Sequence, residues 1–121
     1  MYSKENYRSL LEQALQRGYR FARFVDEHDV SQRIFLRHDV DYSLDLALEL
    51  AGVNASLNIS GTFFLLLRSQ AYNLLSHWGL SRVRDIQALG QRIGLHCALP
   101  PHIPDSDDEL RTLVLSEFDL L

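Results

Sequence analysis

Apolar residues first recur at helical spacing. Tyr7, Leu10, Leu11, Ala14 and Leu15 share one helical face, and Gly18 just beyond them suits a C-terminal stop. Residues 33–40 read as a strand, and the unbroken run Ile34-Phe35-Leu36 is the pattern of a strand covered on both faces. Ser43 offers a helix cap. Leu44, Ala47, Leu48 and Ala51 follow on one face, with Leu46, Leu50, Val53 and Leu57 beside it; so wide an apolar arc predicts a well-buried helix. A turn over 58–61 leads to a second buried strand over 62–67, and a polar loop over 68–73 follows. Trp78, Leu80, Val83, Ile86 and Leu89 mark the next helix, closed by Gly90. A third, shorter strand is expected over 92–97. Pro100, Pro101 and Pro104 then forbid regular structure. Ser106-Asp107-Asp108-Glu109 has the form of a capping box. It opens a last helix with Leu110, Leu113, Val114 and Phe118 on one side.

The order is thus a helix followed by strand–helix three times, which predicts an α/β fold of parallel βαβ units. There are no internal repeats, no low-complexity tract and no linker. Three strands leave open edges in a kind of sheet that is normally buried. The expectation is a fragment, a natural truncation or an obligate homo-oligomer, since a complete (β/α) barrel needs roughly 200 residues or more.

Composition narrows the function classes. The 121 residues suffice for one domain, and a hydrophobic content of 46% allows a real core. The net charge is −4, from 12 basic and 16 acidic residues, with no basic stripe; this argues against a nucleic-acid partner. Cys97 stands alone, so no internal disulfide can form. No apolar run approaches the roughly 18 residues that span a bilayer, and the first residues lack a cleavable leader pattern. A soluble cytoplasmic protein without a membrane partner is the expectation.

In parallel α/β architectures ligands bind at the carboxyl ends of strands. Two polar clusters fall at such ends: His38-Asp39-Val40-Asp41 after the apolar run of the first strand, and His96 at the end of the third. Side chains two apart on a strand face the same way, so Asp39 and Asp41 would share a site. Adjacent carboxylates repel, and a divalent cation resolves that conflict. Carboxylate with imidazole suits zinc and other first-row metals.

Several segments together carry a resemblance. Leu36-Arg37-His38-Asp39-Val40-Asp41, Leu46-Ala47-Leu48-Glu49-Leu50-Ala51, Gly61-Thr62-Phe63-Phe64, Tyr72-Asn73-Leu74 and Gly90-Gln91-Arg92-Ile93-Gly94-Leu95-His96 are similar to the polysaccharide deacetylase family, or NodB-homology domain. The similarity is closest to its uncharacterised bacterial branch that begins Arg-His-Asp-Val-Asp. The resemblance covers nearly the whole chain and implies the N-terminal half of a distorted (β/α) barrel. It also implies metal-dependent hydrolysis, most often with zinc, of N- or O-acetyl groups on an acetylated carbohydrate. Asp39 would be the general base, and Asp41 and His96 would be metal ligands. The Asp-x-Asp spacing leaves the roles of Asp39 and Asp41 exchangeable. The family's second histidine ligand falls near Pro100, and His102 is the nearest substitute. Gln91-Arg92 stands where the family often has His-Glu, and Cys97-Ala98 where an aromatic residue and an acid are frequent. The later motifs, including the usual general acid, lie beyond Leu121. Weak or no activity of this chain alone is therefore expected.

Each of these residues also has a structural role open to it. Asp39 and Asp41 suit the amino terminus of the following helix, where the dipole favours acids. His38 reads as a hydrogen-bonding residue of the framework, and His102 as a loop residue. Cys97 reads as a small hydrophobe, with thiolate ligation the alternative. Trp78, Phe63 and Phe64 read as core rather than as a sugar platform. Asp105, Asp107 and Asp108 read as a loop and first helical turn rather than a calcium site. Two other function classes stand beside the hydrolase. One is a non-catalytic deacetylase-like scaffold used for binding or assembly. The other is a nucleotide-sugar-dependent transferase with a metal on Asp-x-Asp, which would bind nucleotide and have no need of the Gly94-Leu95-His96 strand end.

Overall fold

Short side-chain caps set where the helices begin. The computed structural model describes residues 3–23, 32–97 and 105–120. Ser3 accepts the Asn6 amide and opens α1 (Lys4–Gln16). Ser43 does the same for α2 (Leu44–Ser56) through the Leu46 amide, and Ser76 for α3 (His77–Ala88) through the Gly79 amide. Each hydroxyl satisfies one of the orphan amides of a first helical turn. Ser106 accepts the Glu109 amide at the start of α4 (Asp107–Leu120). Gly18 and Gly90 follow α1 and α3 at φ 86° and 77°, the left-handed conformation that glycine adopts without a Cβ penalty.

Among the described residues, five short strands run between the helices: β1 (Arg20–Ala22), β2 (Arg33–Phe35), β3 (Arg37–Val40), β4 (Thr62–Leu65) and β5 (Arg92–Leu95). They form two small parallel sheets, β1-β2 and β3-β4-β5. The α/β class and the parallel pairing agree with the sequence pattern. The segment predicted as one strand over 33–40 divides at Leu36. Before that residue the chain pairs with β1; after it the chain pairs with β4, and the Leu36 carbonyl accepts the Thr62 amide at 3.0 Å. Strand β1 was not expected, because three residues are too few to show a period. Strand β4 ends at Leu65 rather than at residue 67, and the Tyr72 hydroxyl, not another strand, takes the Leu66 amide. Among the described residues, no helix is long and apolar enough to cross a membrane.

The main core lies between β3-β4-β5 and helices α2 and α3. Val40, Phe63 and Leu65 from the sheet meet Leu44, Ala47 and Ala51 of α2 and Ile86 of α3. A second cluster seats α1 on α2 through Tyr7, Leu11, Val53 and Ile59. The buried stripe of α1 is narrower than its sequence suggests, since Leu10 and Leu15 remain exposed. Trp78, expected in the core, is also exposed, with the Arg82 guanidinium 5.6 Å from its ring centroid. Phe63 is fully buried, but Phe64 points to the opposite face of the sheet, under Arg37 at 4.3 Å. A Cβ on Gly94 would come within 2.6 Å of the Phe64 ring, so only glycine leaves room for that ring across β5.

A buried polar chain ties these layers together. The Tyr7 hydroxyl donates to Asn54 Oδ1 at 2.6 Å, and Asn54 Nδ2 donates to Gln91 Oε1 at 3.1 Å. Gln91 Oε1 also accepts the Gly61 amide, while its Nε2 donates to the carbonyls of Ile59 and Leu89. Asn54 and Gln91 are both buried, and this mutual satisfaction is what makes buried amides tolerable.

Candidate functional site

The carboxyl ends of β3, β4 and β5 are held level by bonds from the loops. The Tyr72 hydroxyl donates to the Val40 carbonyl, Ser69 Oγ donates to the Asp41 carbonyl at 3.2 Å, and the His96 amide donates to the Leu65 carbonyl at 2.9 Å. Burial raises the Tyr72 phenol above its ordinary pKa; the Leu66 amide opposes that shift and nearby Asp41 adds to it. Tyr72 therefore remains a neutral donor that pins β3 to β4 just before the polar cluster. Its function was not legible from its position in a polar loop.

At this level Asp41 and His96 meet across the end of β4. Asp41 Oδ1 lies 3.2 Å from His96 Nδ1. Both atoms are buried, and neither has a hydrogen-bond partner among the described residues. The pair is within ion-pair distance but is not aligned as a hydrogen bond. Leaving such atoms unsatisfied costs roughly 1–3 kcal/mol each. A carboxylate oxygen and an imidazole nitrogen at this spacing are donors of the kind that a divalent cation takes.

The other predicted residues divide. Asp39 is exposed and ion-paired with Arg37 Nε at 2.7 Å. It does not cap α2; Ser43 does. His102 lies outside the described residues. Among the described residues, no group of three or more His, Cys, Asp or Glu side chains converges as a metal site. Burial pushes the Cys97 thiol above its ordinary pKa, and the nearby Glu117 charge adds to the shift; this disfavours the thiolate that ligation needs.

His38 turns away from Asp39 into the framework. Its Nε2 lies 3.0 Å from the Tyr7 hydroxyl, and its ring stacks on Phe63 at 4.5 Å. Because the Tyr7 proton goes to Asn54, His38 donates from Nε2 and is the Nε2–H tautomer. Burial lowers its pKa from the ordinary 6.5, only partly offset by the charge of Asp39. The native state therefore binds fewer protons than the unfolded chain. The resulting stability is complete above about pH 6.5 and is lost as the pH falls through the lowered native value. Denaturant unfolding at pH 7.5 and 5.5 should show a larger loss in the parent than in His38→Gln. Equal losses would show that His38 does not carry the effect.

Glu117 is a residue the sequence reading missed. It is buried on α4, with Oε1 3.3 Å from Arg68 Nε and Oε2 without a hydrogen-bond partner among the described residues. Phe118, expected on the inner face, is exposed instead. The available signal was an acid in helical phase with Leu110, Leu113 and Val114. No family model, no curated protein and no solved structure gives a significant match to this chain.

Proposed function

We propose that this chain is a metal-dependent hydrolase domain of the carbohydrate-deacetylase kind, acting on acetylated sugars through the carboxyl ends of its parallel strands. The observation that carries the reading is the convergence of Asp41 Oδ1 and His96 Nδ1 at 3.2 Å, both buried and both without a hydrogen bond among the described residues. Asp41 and His96 would hold the ion, with zinc the metal their chemistry suits best. A divalent metal bound there would supply polarisation of the acetyl carbonyl and a lowered pKa for water.

The protein's own residues supply the rest. Asp39 would accept the proton of the attacking water, a general-base role worth roughly 10²–10⁴-fold. Arg37, bound to Asp39 at 2.7 Å, orients that carboxylate. The Ser69 hydroxyl holds the Asp41 carbonyl, and the Tyr72 hydroxyl holds the Val40 carbonyl just before it. A hydrolytic zinc site normally takes three protein ligands; His102 is the remaining candidate of the sequence. Weak activity of the chain alone follows if that ligand or a general acid must come from elsewhere.

Elemental analysis of the purified chain tests this reading. The expected result is about one zinc per chain, lost in both Asp41→Ala and His96→Ala, followed by acetate release from an acetylated amino-sugar. A parent protein that holds no metal after zinc loading would rule the hydrolase out and leave a scaffold used for binding.

A further inference from the structure

Tyr42 follows Asp41 directly and is 82% exposed. Its backbone is nonetheless held from both sides. The Asp41 carbonyl accepts Ser69 Oγ, the Val40 carbonyl accepts the Tyr72 hydroxyl, and Ser43 caps α2 through the Leu46 amide. A large ring is thus presented to solvent on a fixed stem. Tyr42 also borders two open grooves that flank Asp41. One runs over Asp39 toward Ser43 and the exposed Leu46; the other is bounded by Arg68, Ser69 and Gln70.

A pyranose ring is apolar on its C–H face and polar around its edge. An exposed aromatic face beside amide, hydroxyl and charged side chains is complementary to both surfaces, and an ordered ring loses little freedom on binding. We propose that Tyr42 is the carbohydrate platform of this site, packing against the C–H face of an acetylated pyranose presented to Asp41 and His96. Gln70, exposed on the loop after β4, reaches the hydroxyl edge of the sugar. This inference rests on the hydrolase reading for the identity of the ligand. The sequence expectation reads Trp78 and the Phe63-Phe64 pair as core rather than as a sugar platform and does not consider Tyr42.

The test is titration calorimetry of the full chain, incubated with zinc, against an N-acetylglucosamine trimer, with zinc content measured on the same samples. Tyr42→Ala should weaken binding about tenfold or more, whereas Tyr42→Trp, which keeps a π face, should retain it. Equal affinity of Tyr42→Ala and the parent overturns the platform, as does a zinc-loaded parent that fails to bind the trimer. Zinc content reports separately on the hydrolase. A metal-free parent whose trimer binding is still lost in Tyr42→Ala keeps the platform while removing the hydrolase.

Discussion

Gln91→Met is expected to lower the unfolding free energy by about 3 kcal/mol, although methionine preserves the length and nearly the volume of the side chain. Gln91 makes four hydrogen bonds from a site only 5% exposed. A thioether would strand the Asn54 amide, the Gly61 N–H and the Ile59 carbonyl in buried positions, and the Leu89 carbonyl in a partly buried one. Each stranded group costs roughly 1–3 kcal/mol, and relaxation recovers part of the sum. The result would spread along the chain, because Asn54 connects Gln91 to Tyr7 on α1 and through it to His38. Urea unfolding measures the change. A midpoint within error of the parent would show that the network is dispensable. Asn54→Leu supplies a second view, since it removes the middle of the chain while leaving Gln91 its backbone partners.

Phe63→Ala is expected to cost about 3–5 kcal/mol, the range for emptying an aromatic site in a well-packed core. Phe63 is fully buried between β4 and the helices, and His38 stacks on it at 4.5 Å with an interplanar angle of 18°. Removing the ring opens a cavity and unsupports the histidine that anchors α1. Small domains hold roughly 5–15 kcal/mol in total, so the variant should lie near its folding threshold at 37 °C. Thermal unfolding followed by circular dichroism checks this. Phe63→Leu, which refills most of the volume, should recover the larger part of the loss. An Ala variant that melts with the parent would mean that this core is looser than its burial indicates.

The helices were readable from local signals. Ser43 and Gly90 stand at predicted ends because caps and left-handed stops are properties of a few adjacent residues. The run Thr62-Phe63-Phe64-Leu65 reads as a buried strand, and its parallel pairing followed from the alternation with helices. What misled was amphipathic detail. Trp78 and Phe118 count as core by hydrophobicity, yet both are exposed, while Glu117, flanked by Ser116 and Phe118, is buried. Hydrophobicity ranks residues but does not say which faces find a partner.

Read alone, the chain therefore specifies its α/β class, its helix ends, and the placement of Asp41 and His96 just past the carboxyl ends of strands, whereas His38 and Asp39 lie within β3 itself. These are consequences of periodicity and capping, which act over a few residues. The meeting of Asp41 with His96, the diversion of His38 into a network with Tyr7, and the pairing of Asp39 with Arg37 belong to the folded state. The Asp41–His96 and His38–Tyr7 contacts join positions far apart in sequence, so they depend on strand register and loop closure. Asp39 and Arg37 share one face of β3, but the rotamers that join them depend on what each strand face packs against. No local pattern encodes either dependence.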